Sequence, residues 1–128
     1  ATMNIGQPWE GGHQKVVNHG EVRSDLTFNF VDSQKINILS LDKYIEENNQ
    51  PNPDYLKIDI DGSEMPFLKG AAKTLQCPEL KGIIFELSKT DANFQNILAI
   101  LNNYGFIETN RFEVPNEPGL YNIIFAKK

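Results

Sequence analysis

Residues 55–64 read Tyr-Leu-Lys-Ile-Asp-Ile-Asp-Gly-Ser-Glu, and no other stretch restricts the fold as strongly. Leu56, Ile58 and Ile60 alternate with Lys57, Asp59 and Asp61, which is the period of a strand. The alternation runs into Gly62 and Ser63, a turn and a helix N-cap, and then into helical spacing. A strand that feeds a helix in this way belongs to a βαβ unit, whose strands are normally apolar and covered on both faces. Two aspartates at the C-terminal end of such a strand are out of place unless they act there. In open α/β sheets, ligands bind at the C-terminal ends of the strands.

The unit continues downstream. Met65, Phe67, Leu68, Ala72 and Leu75 fall on or near one helical face and predict a helix over 64–76. Pro66 sits in its first turn, where a missing N–H is harmless. Gly70 is a local weakness that would permit close packing on the sheet. Cys77-Pro78 ends the helix. Gly82-Ile83-Ile84-Phe85-Glu86-Leu87 is then a second strand, a continuous apolar run of the kind a parallel sheet buries. With a right-handed crossover the two strands are parallel. Glu86 then lies on the same rim of the sheet as Asp59 and Asp61.

Phe94, Ile97, Leu98 and Leu101 mark a further helix over 91–104, capped by Thr90 or Asp91 and closed by Gly105. Phe106 to Val114 and Leu120 to Ala126 are strand-like. Pro115-Asn116-Glu117-Pro118-Gly119 between them is turn chemistry, so a C-terminal antiparallel hairpin is expected. The fold class is α/β, with parallel strands and crossover helices. Residues 1–40 are less ordered in pattern. Asn4 to Gly12 reads as a loop, and Lys15-Val16-Val17, Leu26 to Val31 and Ile36 to Leu39 read as short strands. Ser40 caps a helix carrying Leu41, Tyr44 and Ile45, and Asn48 to Pro53 is a polar connector within the domain. At 128 residues the chain has room for one core, so residues 1–128 are taken as one domain, with 41–128 its better-patterned part.

Charge narrows the function. Seventeen acidic against twelve basic residues give a net charge of −5, which disfavours binding to a phosphate backbone. No run of about 18 apolar residues offers a membrane span. One cysteine allows no internal disulfide and fits a reducing, cytoplasmic compartment. Its place before Pro78 suits packing better than nucleophilic work.

Taken together, Leu41-Asp42, the run Asp54 to Glu64, Phe67-Leu68-Lys69-Gly70-Ala71 and Ile84-Phe85-Glu86 resemble the FkbM-type methyltransferases over about residues 38–126. Asp61 stands where that family usually has glutamate, a change that keeps the carboxylate. The resemblance implies a Rossmann-like sheet, S-adenosylmethionine as cofactor, and methyl transfer to a hydroxyl of a small molecule or glycan. Family members open with a strand, a glycine-rich loop and a helix that hold the cofactor. Gly6, Gly11 and Gly12 do not have that spacing. The chain is therefore expected to be the C-terminal portion of such a domain and, alone, to lack turnover and bind cofactor weakly. No cofactor-binding residue is assigned.

The carboxylates carry the chemistry in this reading. Asp59 takes the central role, and Asp61 and Glu86 position the acceptor or act as base, either directly or by holding a cation that acidifies the hydroxyl. No metal ligands are assigned. Glu64, His13 and Trp9 are the candidate substrate-binding residues. Each has a plainer role to compete with. Asp59 and Asp61 suit helix capping, and Glu64 the helix dipole. Glu86 suits an ion pair with Lys57 or Lys89, and a histidine in a polar loop is usually only solvated. The competing function is a catalytically inactive half-domain acting through self-association. The strand at 55–60 would have an open edge without the cofactor half, and open edges recruit strands. Either residues 26–39 cover it or two copies pair there as a homodimer. The shortness of the strands in 26–39 favours the homodimer.

Overall fold

The computed structural model describes residues 2–6, 15–18 and 30–128. Strands β1 (Thr2–Gly6), β2 (Lys15–Asn18) and β3 (Phe30–Lys35) form an antiparallel sheet in the order β2-β1-β3. The strand expected at Lys15–Val17 is therefore present. Asn4 to Gly6, expected in a loop, are instead strand. β1 is the central member and pairs on both sides, and such pairing overrides the weak strand preference of Asn and Gly. The strand expected from Leu26 is present from Phe30 onward, and residues 26–29 lie outside the described residues. Residues 36–39 form no strand despite their alternation. They lead into the next helix, with Ile38 and Leu39 about half exposed.

Helix α1 (Leu41–Glu47) starts where Ser40 Oγ accepts the N–H of Lys43 at 3.3 Å, as its cap position predicts. Strand β4 (Tyr55–Ile58) follows, two residues shorter than its alternation suggested. The helix expected over 64–76 is two helices, α2 (Glu64–Gly70) and α3 (Ala72–Gln76), broken at the buried Ala71. The break has a cause in α1. The Asp42 carboxylate accepts the N–H groups of Lys73 and Thr74 at 2.8 and 2.9 Å and the Thr74 hydroxyl at 2.6 Å, so it caps α3 from outside. Gly70 does pack closely, but against α1 and not the sheet. A Cβ built on it would stand 2.7 Å from Ser40 Cβ. The Leu-Asp and Leu-Lys-Gly-Ala segments thus form one helix–helix joint.

Strand β5 (Gly82–Ser88), helix α4 (Phe94–Asn103) and strands β6 (Phe106–Glu113) and β7 (Leu120–Lys127) complete the chain. α4 begins later than its sequence signals, at Asn93, because Asp91 and the residues after it form a turn in which Asp91 Oδ1 takes the N–H of Asn93. The second sheet has the order β4-β5-β7-β6. β4 and β5 are parallel, with Ile58 beside Phe85, as the crossover length required. β6 and β7 form the expected antiparallel hairpin, and β7 lies between β5 and β6.

Ile58, Ile83, Phe85, Leu87, Ile123 and Phe125 point to one face and are buried there under Leu68, Leu75, Ile97 and Leu101 of the helices. Arg111 ties this layer at its margin. It is bonded twice to Glu108 and stands 5.5 Å from the rings of both Phe94 and Tyr121. Among the described residues the opposite face is open, which departs from the expectation that the apolar run of β5 is covered on both sides. Ile84 is 38% exposed, and its flanking rows carry Tyr55 at 69% and Phe112 at 57%. All three crossover helices contribute to the single core of the first face, so the second face receives none of them.

Candidate functional site

The site is built at the C-terminal ends of β4 and β5. The last ladder pair is Ile58 with Phe85, so Asp59 stands one step further on, beside Glu86. Glu86 in turn is paired with Asn122 of β7. Three strands thus bring Asp59, Glu86 and Asn122 into one row across the rim, on the open face of the sheet.

Asp59 Oδ2 accepts Lys57 Nζ at 2.8 Å, an exposed ion pair between residues on the same side of the strand. Its hydrogen bond goes to a lysine and not to a helix N-terminus. Asp61 sits in a tight turn, in which Ser63 N–H reaches Ile60 C=O at 3.0 Å. Both central residues have positive φ, +20° at Asp61 and +84° at Gly62. Glycine takes such a conformation without strain, and the short polar aspartate tolerates it far better than a longer side chain. Glu64 is buried, and its Oε1 accepts the N–H of Gly62 at 2.9 Å, which fixes the turn.

Glu86 is half-buried. Its Oε2 accepts Asn122 Nδ2 at 3.1 Å. Burial pushes its proton affinity up, and the negative charges of Asp59 and Asp61 push it further. Asn122 and Lys57 pull the other way without cancelling the rise. Among the described residues Glu86 makes no ion pair. The Lys57 ammonium is bonded to Asp59, which with the charges of Asp59 and Glu86 raises its own proton affinity. A carboxylate that holds a proton more tightly than an ordinary glutamate, with two further carboxylates on the same rim, is suited to accept a proton.

The sequence places Asp59, Asp61 and Glu86 on one rim of the sheet, and in the structure they lie together there. Sequence reasoning missed Asn122 and the tie between Lys57 and Asp59. A polar residue inside the apolar run Leu120 to Phe125 was the available signal, but only the strand register shows that it faces Glu86. His13 and Trp9 lie outside the described residues. Among the described residues no group of three His, Cys, Asp or Glu side chains is arranged to hold a metal ion. None of the described helices is long and apolar enough to cross a membrane.

A parallel β-α-β core extended by an antiparallel hairpin, with carboxylates at the strand ends, is compatible with part of a Rossmann-like enzyme fold. The chain belongs to the FkbM methyltransferase family: the model of the methyltransferase FkbM domain matches residues 4–108. The match reaches further toward the N-terminus than the motifs that carry the resemblance, and it ends inside β6. No curated protein and no solved structure matches the chain. None of the described residues is assigned to hold the methionine or ribose of a cofactor.

Proposed function

We propose that the chain serves S-adenosylmethionine-dependent methylation of a hydroxyl, on a small molecule or a glycan. The observation that carries this reading is Glu86, a carboxylate with raised proton affinity set beside Asp59 at the C-terminal rim. S-adenosylmethionine, when bound, would supply a sulfonium methyl for the acceptor oxygen, the new O–C bond replacing the S–C bond whose electrons would stay on sulfur, and the hydroxyl proton would have to leave. Glu86 takes that proton and later releases it to water. Lys57 holds Asp59 in place, and Asp59 orients the acceptor and raises the basicity of Glu86 through its charge. Asp61 adds to that charge, and Glu64 keeps the turn that presents it. The single cysteine suits a reducing compartment, the cytoplasm.

The test is methyl transfer by the protein from labelled S-adenosylmethionine to a panel of hydroxyl-bearing acceptors. Asp59→Asn is expected to cut turnover more than it cuts cofactor affinity measured by calorimetry. If Asp59→Asn leaves turnover intact, Asp59 is an ion-pair residue only.

A second reading rests on the position of β4. It is an end strand of its sheet and, among the described residues, pairs only with β5. Two copies joined edge to edge at β4 would continue the sheet as a homodimer, whether or not the chain catalyses transfer.

A further inference from the structure

We propose that Asn122 is the positioning residue for Glu86: its amide holds one carboxylate oxygen so that the other, Oε1, takes the proton of the acceptor. The inference rests on the methyl-transfer reading above and deepens it. It assigns a role to β7, which lies wholly beyond residue 108, where the family match ends.

Three observations support it. First, the pairing is imposed by the backbone. Glu86 and Asn122 are directly opposed in a continuous antiparallel ladder that runs from Gly82–Ala126 to Ser88–Leu120. Side chains directly opposed in this way have Cβ atoms about 4.5–5.5 Å apart, within reach of one another. Second, the bond uses one oxygen. Oε2 accepts Asn122 Nδ2 at 3.1 Å, and among the described residues Oε1 takes no hydrogen bond. An ionised carboxylate can only accept, so the amide nitrogen must be the atom that faces it. Third, the chemistry of the partner matters. A lysine or arginine at this place would pin the carboxylate as an ion and weaken it as a base. Asparagine orients it without adding charge. The charged groups that act on Glu86 are Lys57, Asp59 and Asp61, and Lys57 is already bonded to Asp59. Asn122 is thus the neutral counterweight in a row of charges.

The experiment is a carbon-13 NMR pH titration of the Glu86 carboxyl in the 128-residue chain, with no cofactor present, in native protein, Asn122→Leu and Asn122→Ser. Loss of the amide donor in Asn122→Leu is expected to move the Glu86 midpoint to higher pH. Asn122→Ser, which keeps a donor, is expected to restore part of the shift and covers the case in which the leucine variant fails to fold. In methyl-transfer assays the acid limb of kcat is expected to move in the same direction, with the KM for acceptor nearly unchanged. An unmoved Glu86 midpoint in a folded variant overturns the proposal, as does a kcat limb that ignores a moved midpoint. Absence of transfer to any acceptor by native protein would overturn the reaction assigned above.

Discussion

The carboxylate of Asp42 caps a helix that begins 30 residues after it, through the N–H and hydroxyl of Thr74 and the N–H of Lys73. Burial pushes its proton affinity up, but these hydrogen bonds outweigh that and hold the carboxyl below its ordinary range. Its contribution to stability is therefore present above the ordinary value of 3.8 and is lost as pH falls through the lower folded-state value. Asp42→Ala is expected to cost about 1–2 kcal/mol at neutral pH by the loss of a cap. Urea melts of both proteins at several pH values check this. The difference between them should shrink in acid.

Gly70→Ala reverses the usual rule. Alanine in place of a helical glycine normally stabilises by about 1 kcal/mol. Here the added methyl meets Ser40 Cβ at 2.7 Å, and the joint between α1 and α2 has to open. A net loss of roughly 1–3 kcal/mol is expected. Combining it with Ser40→Gly removes the obstacle, so thermal melting should find the double variant more stable than the sum of the two single changes predicts.

Glu86→Gln separates stability from activity. The folded state holds the Glu86 proton more tightly than the unfolded chain does. Stability accordingly falls as pH rises from the ordinary value of 4.5 through the folded-state value, and the cost persists above it. Glutamine avoids that cost, so the variant is expected to melt higher than native protein at neutral pH, with the gain fading toward pH 4. The same variant is expected to lose transfer by about 10²-fold or more if the carboxylate is the base. Equal melting temperatures at neutral pH would contradict the raised proton affinity.

Sedimentation of the chain at micromolar concentration addresses the edge of β4 that no described residue pairs. A dimer is expected. A monomer across the concentration range would remove edge pairing from consideration.

The parallel unit was legible because its signals are local. Alternation at 55–60, the Gly62-Ser63 turn and the helical spacing after it each follow from a few adjacent residues. The rim carboxylates could be placed for the same reason, since strand direction alone carries Asp59 and Glu86 to one side. What escaped depended on contacts between distant segments. The break at Ala71 comes from Asp42, far upstream, and no periodicity within 64–76 contains it. Ile36 to Leu39 alternate like a strand, yet they became a lead-in to α1. The open face of β5 was hidden because Ile83 and Ile84 read alike, and only the placement of the described helices on one side distinguishes them. Asn122 required the register of a strand made 36 residues after Glu86.

The place of β7 between β5 and β6 also sets an order of events during synthesis. When β5 and β6 have left the ribosome they still have no contact with each other along the sheet, because the strand that joins them has not been translated. Phe85 and Phe106 wait for Ile123 and Phe125 to close over the same core, and Glu86 waits for its amide. A nascent chain stalled within the hairpin turn would hold most of the family's motif and all the carboxylates. It would present them on a half-finished sheet, exposed to chaperones and proteases and not yet to substrate.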